Sequence, residues 1–394
     1  MMRLIALALL ASASPLAARE IIVAAGEGAQ ERLQEALIEA QPGDTVRIGK
    51  GRFELTDGLS LDVDRVTVRG AGPAETVLSF KQQLGAGEGL LVTSDDVTLR
   101  DFAVEDSKGD GIKSKGADRI VYHNLRVEWT AGPKETNGAY GVYPVESRHV
   151  LIDGVTVAGA SDAGIYVGQS QDIVVRKSTV RHNVAGIEIE NSRRADVHGN
   201  TAVHNTGGIL VFDLPNLPVM DGGEVRVFDN RVADNDTPNF APKGNIVASV
   251  RRGTGILVMA NDRVEVTGNA LENNATADVM VIGYRLPFDD KRYDPLPRHV
   301  VVRGNTHKGS GRDPQLPGGA QLVQMLGGAI PPVLWDGAGE AGAIIADQPA
   351  LSLGLPLGAP ESAAKPAPAD LTKAPAPSAL AAVTLPPEME ARIR

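Results

Sequence analysis

The sequence lacks several features that would point to particular classes of protein. It has no cysteine, which excludes disulfide scaffolds, cysteine-ligated metal sites and thiol nucleophiles. Aromatic residues make up only 4%, so a core must be built from aliphatic side chains. Lys and Arg number 39 against 49 Asp and Glu, and a chain of net charge −10 lacks the basic surface that binds nucleic acid. Glycine (44 residues) and proline (25 residues) are abundant, which indicates many turns.

Residues 1–18 predict an export signal. Arg3 is followed by the apolar residues 4–10 and then by small residues of the kind at which signal peptides are cleaved. Cleavage after Ala13 and cleavage near Ala18 both fit. The apolar run is too short to span a bilayer, and no transmembrane segment is predicted in the mature chain. We therefore expect a periplasmic or secreted bacterial protein.

A short alternating strand followed by a polar turn recurs along the chain. The three shortest intervals between copies are 22 or 23 residues, and the longer intervals contain Gly- and Pro-rich insertions. Most copies carry another strand that opens with glycine and an aliphatic residue, with a short third element between the two. Three strands per unit and no helical pattern predict a solenoid of stacked parallel coils. The copies begin at Val66, Val97, Ile120, Val150, Ile173, Ala195, Val225, Val264 and Val300.

Asparagines recur at two fixed positions of this repeat. Coils stack about 4.8 Å apart, so asparagines in register can hydrogen-bond along the stack as ladders. One ladder contains Asn200, Asn230, Asn269 and Asn305, and the other contains Asn183, Asn205, Asn235 and Asn274.

The repeat also predicts how the chain is divided. Leu33 and Leu37 lie at helical spacing, which predicts a short amphipathic helix over residues 31–40 that caps the first coil. The last part of the chain is rich in Pro and Ala, a composition typical of disordered linkers. The predicted units are a signal peptide (1–18), an N-terminal cap and first coil (19–65), the parallel β-helix (66–310), an irregular C-terminal cap (311–350) and a Pro/Ala-rich disordered tail (351–394).

Several stretches resemble one family of known proteins. They are PGDTVRI after the predicted helix, KGDGIK, NGAYGVYPV, GASDAGIYVGQS, NVAGIEIENS and NTGGILVFDLPNLP. Over residues 20–308 the pattern resembles the right-handed parallel β-helix, or pectin-lyase-like, superfamily, and within it an exported bacterial repeat family. The resemblance implies an all-β, single-stranded, right-handed parallel β-helix. The superfamily includes polyuronate lyases, mannuronan C5-epimerases and glycoside hydrolases, but the Asp-Pro-His-Asp stretch of the epimerases does not occur here.

Alignment of the strands that open with glycine predicts outward-facing columns of polar and aromatic side chains. Tyrosine rings stack on sugars, and carboxylates and lysines bind or deprotonate uronates. Gly168 is expected to leave room for such a ligand. The candidate catalytic residues are Lys113, Tyr166, Glu188 and Glu190, and the candidate substrate-binding residues are Asp110, Tyr143, Asp162 and Asp213.

Glu188 and Glu190 are the candidate site residues with the most specific spacing. At positions i and i+2 of one strand they lie about 7 Å apart on one face. Such a pair raises the pKa of each carboxyl group, which suits a general acid, or it shares a divalent cation, with Ca²⁺ as the candidate cofactor. A pair of solvated surface charges is the third interpretation, so the metal site stays unassigned.

Two functions follow from the sequence. In the first, the chain is an enzyme that modifies an extracellular or periplasmic polysaccharide or oligosaccharide by uronate proton abstraction (lyase or epimerase) or by hydrolysis. In the second, it is a non-catalytic envelope scaffold that binds a glycan or another exported protein through the same outward-facing columns. The sequence leaves open whether the chain is an enzyme.

Overall fold

The computed structural model describes residues 18–373 and 377–394. The predicted signal peptide therefore lies outside the described residues, apart from its last position. The described chain winds into a right-handed parallel β-helix, as the repeat and the resemblance predicted. A complete coil contributes one strand to each of three sheets, in the order sheet 1, sheet 2 and sheet 3, and neighbouring coils pair in parallel.

Within the described residues the sheets hold 12, 10 and 12 strands. Sheet 1 comprises Glu20–Val23, Thr45–Ile48, Thr67–Arg69, Thr98–Arg100, Asp118–His123, Arg148–Asp153, Gln171–Arg176, Arg193–His198, Gly223–Phe228, Asp262–Thr267, Arg298–Arg303 and Ile344–Ala346. Sheet 2 comprises Gly51–Glu54, Thr76–Ser79, Ala103–Glu105, Arg126–Glu128, Thr156–Ala158, Thr179–Arg181, Thr201–Val203, Arg231–Ala233, Ala270–Glu272 and Thr306–Lys308. Sheet 3 comprises Leu59–Leu61, Leu90–Val92, Ile112–Lys115, Tyr140–Val145, Ala163–Gly168, Ala185–Glu190, Gly207–Phe212, Thr254–Met259, Ala277–Ile282, Val333–Trp335, Ala350–Ser352 and Ala367–Ala369.

Aliphatic side chains stack inside the coil. Period-two alternation points every second residue inward, and equivalent residues of successive coils pair in register. In sheet 3, Val142, Ile165, Ile187 and Ile209 follow one another in this way, and all four are fully buried. The core therefore needs few aromatic residues, because columns of aliphatic side chains fill the inside of the coil.

Both predicted asparagine ladders are present at the turns. Asn200 Nδ2 donates to Asn230 Oδ1 at 3.0 Å, and Asn230 Nδ2 donates to Asn269 Oδ1 at 2.9 Å. In the other ladder Asn183 Nδ2 donates to Asn205 Oδ1 at 3.0 Å. Each ladder amide also bonds backbone groups, so these buried turns keep their polar groups satisfied.

The helices are short and lie at the ends and in the loops. The predicted cap helix is present as Ala29–Glu39, and it buries Leu33 and Leu37 over the first coil. Among the described residues, none of the helices has both the length and the apolar character needed to cross a membrane. The other helical segments are Gly319–Met325 and Pro387–Ala391, with 3₁₀ turns at Ile246–Ser249, Ala341–Ala343 and Glu361–Ala363.

The chain beyond residue 310 is more regular than the sequence predicted. Val333–Trp335 continues sheet 3 and Ile344–Ala346 continues sheet 1, so the segment predicted as an irregular cap adds strands to the solenoid. The strands were missed because their aliphatic runs are only three residues long. Ala350–Ser352 then pairs with Ala367–Ala369 in antiparallel fashion at the end of sheet 3.

The prediction of a disordered tail is wrong for its described end. Met389, in the helix Pro387–Ala391, is fully buried against Val121, Leu151 and Val174 on the outer face of sheet 1. Arg392 adds a salt bridge to Asp96, 2.9 Å between Nη2 and Oδ1. The composition was misleading because a few apolar side chains in a Pro/Ala-rich segment are enough to cover an apolar patch.

Candidate functional site

The outward columns of sheet 3 have the register predicted from the repeat. Lys113 pairs with Tyr143, Tyr166 pairs with Glu188, and Gly168 pairs with Glu190. Parallel pairing brings together side chains that lie some 20 to 30 residues apart in the sequence. We call the resulting group the acid–tyrosine cluster; its members are Asp110, Lys113, Tyr140, Tyr143, Asp162, Tyr166, Glu188 and Glu190.

Three tyrosine rings form the aromatic part of the cluster. The ring centroid of Tyr140 lies 4.5 Å from that of Tyr143 and 4.5 Å from that of Tyr166. Tyr143 meets Tyr166 edge to face at 4.8 Å. Sequence reasoning missed Tyr140, although its place at the start of the strand Tyr140–Val145 was a usable signal. The rings pack on one another, so Tyr166 is only 4% exposed.

The space beside Gly168 is filled by the side chain of Tyr166. The sequence predicted that a ligand would use this space. A Cβ atom on Gly168 would lie 2.3 Å from the hydroxyl oxygen of Tyr166. The tyrosine side chain therefore folds back over the glycine. Its hydroxyl group lowers the pKa of the Glu190 carboxyl group, against the larger rise that burial causes.

Lys113 lies at the more exposed end of the cluster. Its Nζ is 3.1 Å from Glu88 Oε1 and 3.5 Å from Asp110 Oδ2, and it sits 4.8 Å from the ring centroid of Tyr143. Burial by itself lowers the pKa of Lys113, but the hydrogen bond to Glu88 and the charge of Asp110 outweigh it and raise the pKa. Lys113 is therefore held as a cation, which argues against its predicted role as a base. Glu88 was not among the residues predicted from the sequence.

Asp110 connects the exposed end to the buried part of the cluster. Its Oδ1 accepts a hydrogen bond from the backbone N–H of Tyr140 at 3.3 Å. Burial raises the pKa of Asp110 to about 6, although the nearby Lys113 opposes the shift. A carboxyl group with this pKa is largely ionised at pH 7 and can still accept a proton.

Three carboxyl groups lie deeper in the cluster. Asp162, Glu188 and Glu190 are 4%, 1% and 7% exposed. Burial raises the pKa of Asp162 to about 7 against a hydrogen bond from Asn245, and it raises the pKa of Glu190 to about 7 against the hydrogen bond from Tyr166. Burial and the charges of Asp162 and Glu190 raise the pKa of Glu188 well above its ordinary value. These groups therefore retain protons near neutral pH.

Two oxygen atoms of these buried acids have no hydrogen-bond partner. They are Oε1 of Glu188 and Oδ1 of Asp162. Leaving a buried polar atom without a partner is costly, and such atoms concentrate at functional sites. Across residues 18–373 and 377–394, no group of three or more Asp, Glu or His side chains is placed to hold a metal ion.

Asp213, a predicted substrate-binding residue, has its carboxylate hydrogen-bonded within the chain. Its carboxylate accepts hydrogen bonds from the backbone N–H of Gly222 and from Asn261 Nδ2, both at 2.7 Å. Its backbone carbonyl accepts a hydrogen bond from the hydroxyl group of Tyr293 at 2.6 Å. Asp213 thus fixes the loop over residues 214–223. The sequence places Asp213 beside the outward column. It does not show that both carboxylate oxygens of Asp213 already accept hydrogen bonds within the chain.

The outward columns of sheet 3 are also less open than the sequence predicted. Residues 239–250, which we call the roof segment, lie over their C-terminal half. Asn245 Nδ2 donates to Asp162 Oδ2 at 3.3 Å, and Asn239 Nδ2 braces the segment through the carbonyl groups of Val247 and Val250 at 2.8 and 2.9 Å. The expected open groove is therefore confined to the end that contains Asp110, Lys113 and Tyr143.

A family model described as "Right handed beta helix region" matches residues 63–219. The match covers central coils of the right-handed parallel β-helix that the structure shows. In sequence, no curated protein matches the chain.

Among solved structures, the chain is similar to two mannuronan C-5 epimerase modules from Azotobacter vinelandii. The AlgE4 A-module is 13% identical, with a TM-score of 0.48, over 81% of this chain and 91% of that one. The AlgE6 A-module is 14% identical, with a TM-score of 0.49, over 84% and 95%. The family 28 exopolygalacturonase of Yersinia enterocolitica is 11% identical, with a TM-score of 0.48, over 76% and 67%.

Proposed function

We propose that this chain binds a polysaccharide at the exposed end of the acid–tyrosine cluster and catalyses a proton-transfer reaction on it. The observation that carries the proposal is the burial of Asp162, Glu188 and Glu190 side by side, with two oxygens unpartnered. A coil that served only as a scaffold would gain nothing from this arrangement, because burying neighbouring carboxyl groups destabilises the fold.

The exposed end supplies the groups that would touch the sugar. Tyr143 is partly exposed and offers a ring face and a hydroxyl group. Asp110 would act as the general base, since its pKa of about 6 leaves it ionised at pH 7. Lys113 would hold the base in place and neutralise developing negative charge. The buried acids are positioning groups; by keeping their protons they reduce the negative charge beside Asp110.

The proposal includes export. Its support is the signal predicted from residues 1–18, and the site of action would then be the periplasm or the exterior of the cell. Binding without catalysis is the second candidate function. Lys113 beside the partly exposed ring of Tyr143 favours it, because these two groups can hold a sugar without any proton transfer.

The proposal is tested with a panel of polyuronates and neutral glycans. Unsaturated-sugar absorbance reports lyase activity, reducing ends report hydrolysis, and deuterium incorporation from solvent reports epimerisation, while retained protein reports binding. Asp110→Asn should lower turnover by about 100- to 10,000-fold, which is the usual worth of a general base, and should leave binding intact. Turnover of the wild type should rise as the pH rises through about 6, where Asp110 ionises.

Asp57→Asn is the matched control, because Asp57 is an exposed carboxylate near the same end of sheet 3. It should behave as the wild type does. Binding without turnover in the wild type would establish the binding function instead. Absence of both binding and turnover across the panel would refute the proposal.

A further inference from the structure

The roof segment belongs to an insertion in the repeat. Residues 182–184 connect the second and third strands of one coil, and residues 204–206 make the same connection in the next coil. In the coil after that, residues 234–253 make this connection. The solenoid can therefore close at this corner without the extra residues, and insertions into the loops of a rigid scaffold commonly carry function.

Both ends of the insertion are fixed to the preceding coil. Thr237 donates through its backbone N–H to Asn205 O at 3.2 Å and through Oγ1 to His204 O at 2.5 Å. At the other end, the backbone N–H of Gly253 donates to Thr206 O at 3.0 Å. Gly253 has a φ of +83°, and a Cβ atom there would lie 2.6 Å from the backbone of the following coil. The roof segment is therefore held between two fixed points.

Between these points the hydrogen bonds of the roof segment are almost all internal. The Asn239 side chain bonds the carbonyl groups of Val247 and Val250, and the Val250 N–H donates to Val247 O at 3.0 Å. Within the described chain, the roof segment makes one hydrogen bond to another part of the protein, from Asn245 Nδ2 to Asp162 Oδ2 at 3.3 Å. A segment that keeps its own bonds and has few bonds to its surroundings can move as a unit at low cost.

The apolar contact beneath the roof segment is incomplete. Ile246, Val247 and Val250 face Leu210 and Leu257 across a cavity with an empty volume of about 500 Å³, part of which is open to solvent. Protein interiors normally contain few voids larger than a water molecule, so this side of the segment lacks much of the contact that fixes a buried loop. Movement of the segment would therefore break little packing.

Asp162 is the group to which the roof segment is tethered. Its Oδ2 accepts the bond from Asn245, while its buried Oδ1 has no hydrogen-bond partner among the described residues. Asp162 directly precedes the strand of Tyr166, and that strand pairs with the strand of Tyr143 at the exposed end of the cluster. Movement of the roof segment would thus add a carboxyl group to the exposed end, with one oxygen available to a hydroxyl donor.

We infer that the roof segment is a lid. It moves between its two anchored ends while the solenoid stays folded, and it controls access to Asp162 from the exposed end of the acid–tyrosine cluster. The movement needs no ligand. Its use in polysaccharide binding rests on the proposed function: a chain of several sugars held at Tyr143 would extend over Asp162 when the lid is open, and its hydroxyl groups would supply the missing hydrogen bond.

Because the chain has no cysteine, one introduced thiol can report the movement. Leu210 is 1% exposed and lines the cavity under the lid, whereas its neighbour Ile209 is 0% exposed and lies in the core of the coil. Leu210→Cys should react with a thiol reagent at least about 100-fold faster than Ile209→Cys, which reacts only on global unfolding. Its rate should also depend less on urea, because a local opening exposes little surface. Equal rates with equal urea dependence would overturn the inference.

The tether gives a second test of the same movement. Asn245→Ala, combined with Leu210→Cys, should raise the reaction rate by about five- to tenfold, the effect of losing one hydrogen bond. Lys243→Ala, at an exposed position of the same segment, is the matched control and should leave the rate unchanged. If Leu210→Cys fails to fold, Leu257→Cys reports on the same cavity. A rate that Asn245→Ala leaves unchanged would mean that the reagent enters through a permanent opening, which would contradict the lid.

A disulfide can lock the lid. A Cβ atom on Gly207 would lie 2.9 Å from Cγ1 of Val250, which places the two Cβ positions within the separation of about 4.5 Å that a disulfide bridges. The variant Gly207→Cys/Val250→Cys is titrated by calorimetry, oxidised and reduced, with disaccharides and hexasaccharides of mannuronate and of galacturonate. Oxidation should weaken the binding of a hexasaccharide by about five- to tenfold and leave that of a disaccharide unchanged. Equal binding of the hexasaccharide by both forms would show that the bound chain does not reach Asp162.

The outcomes separate the lid from the proposed function. Fast reaction of Leu210→Cys, with no glycan of the panel bound, would establish the lid and refute the proposed function. Reaction of Leu210→Cys as slow as that of Ile209→Cys, with oligosaccharides bound equally by the oxidised and reduced forms, would refute the lid and leave the proposed function standing.

Discussion

Gly168 shows how one missing side chain positions a functional group. The Tyr166 hydroxyl group occupies the space that a Cβ atom would need, and this places the hydroxyl group at Glu190. The glycine is therefore part of the polar cluster although it has no polar side chain. Its role depends on a rotamer of Tyr166, which the sequence alone does not reveal.

Gly168→Ala should destabilise the protein by about 1–3 kcal/mol, because the new methyl group forces the Tyr166 ring out of its packed position. Urea denaturation measures the change. Gly85→Ala is the control, since a Cβ atom there meets no other heavy atom within 4 Å. Equal stability of the two variants would show that the Tyr166 ring moves without cost.

The buried acids should make stability depend on pH. Asp162 and Glu190 have a pKa of about 7 in the folded state and near 4 when unfolded, so between these values the folded state binds more protons. The free energy of unfolding should therefore fall as the pH rises from about 4 to about 7. Carboxylates in strong salt bridges, such as Asp44 and Asp96 with a pKa of about 2, titrate below this window.

Glu190→Gln tests this pH dependence, because it keeps an acceptor for the Tyr166 hydroxyl group and removes the titration. Urea denaturation at pH 5 and pH 8 should show a smaller loss of stability in the variant than in the wild type. A wild type that is as stable at pH 8 as at pH 5 would mean that the cluster holds no extra protons.

At the scale of single elements, the asparagine ladders hold the turns between sheets in register. Asn230 accepts from the backbone N–H and from Nδ2 of Asn200, both at 3.0 Å, and donates to Val197 O at 2.9 Å. Its removal would leave several buried groups without partners, each at a cost of about 1–3 kcal/mol.

Asn230→Ala should therefore lower the free energy of unfolding by at least about 2 kcal/mol. Asn230→Asp restores the acceptor but not the donor, so it should be intermediate between the alanine variant and the wild type. Thermal and urea unfolding measure both. If the alanine variant were no less stable than the aspartate variant, the ladder would not contribute through its acceptor bonds.

The strands, their register and the ladders could be predicted from the sequence because each depends on local spacing. Val150, Ile173 and Ala195 recur at nearly constant intervals, and constant spacing fixes which residues stack. The roof segment could not be predicted in this way. Where residues 239–250 fold depends on packing of Ile246 and Val250 over distant coils, and this packing has no signature in the local pattern.

The same distinction explains the outcome for the candidate site. The columns from Lys113 to Glu188 followed from the repeat, and the structure brings their members together. Their burial did not follow, because it arises from the tyrosine packing and the roof segment. The bonds of Asp213 did not follow either, because Gly222 and Asn261, which bond its two oxygens, are brought to it by a loop and by the next coil.

At the scale of the whole molecule, the C-terminal segment binds back onto the solenoid. Met389 covers an apolar patch of sheet 1, and Glu390 pairs with Arg176 at 2.8 Å. Arg100 Nη1 also donates to the carbonyl oxygen of Arg392 at 2.6 Å. The segment thus bridges several coils of one sheet, which should stabilise their stacking.

Met389→Ala should destabilise the protein by about 2 kcal/mol, the lower end of the cost of truncating a buried methionine, because a short terminal helix can partly relax. Met325→Ala, at a methionine that is 82% exposed, is the matched control and should have almost no effect. Both are compared by thermal unfolding. Identical melting of the two variants would mean that the terminal helix does not pack on sheet 1 in solution.

The central claim is that the acid–tyrosine cluster keeps protonated carboxyl groups at neutral pH. The most direct measurement is the infrared absorption of the protonated carboxyl C=O stretch at pH 7, in wild type and in Glu188→Gln, with Asp57→Asn as the control. We predict a protonated-carboxyl band in the wild type and in the control that is diminished in Glu188→Gln, because the pKa of Glu188 lies well above its ordinary value. Absence of the band from the wild type, or a band unchanged in Glu188→Gln, would contradict the claim.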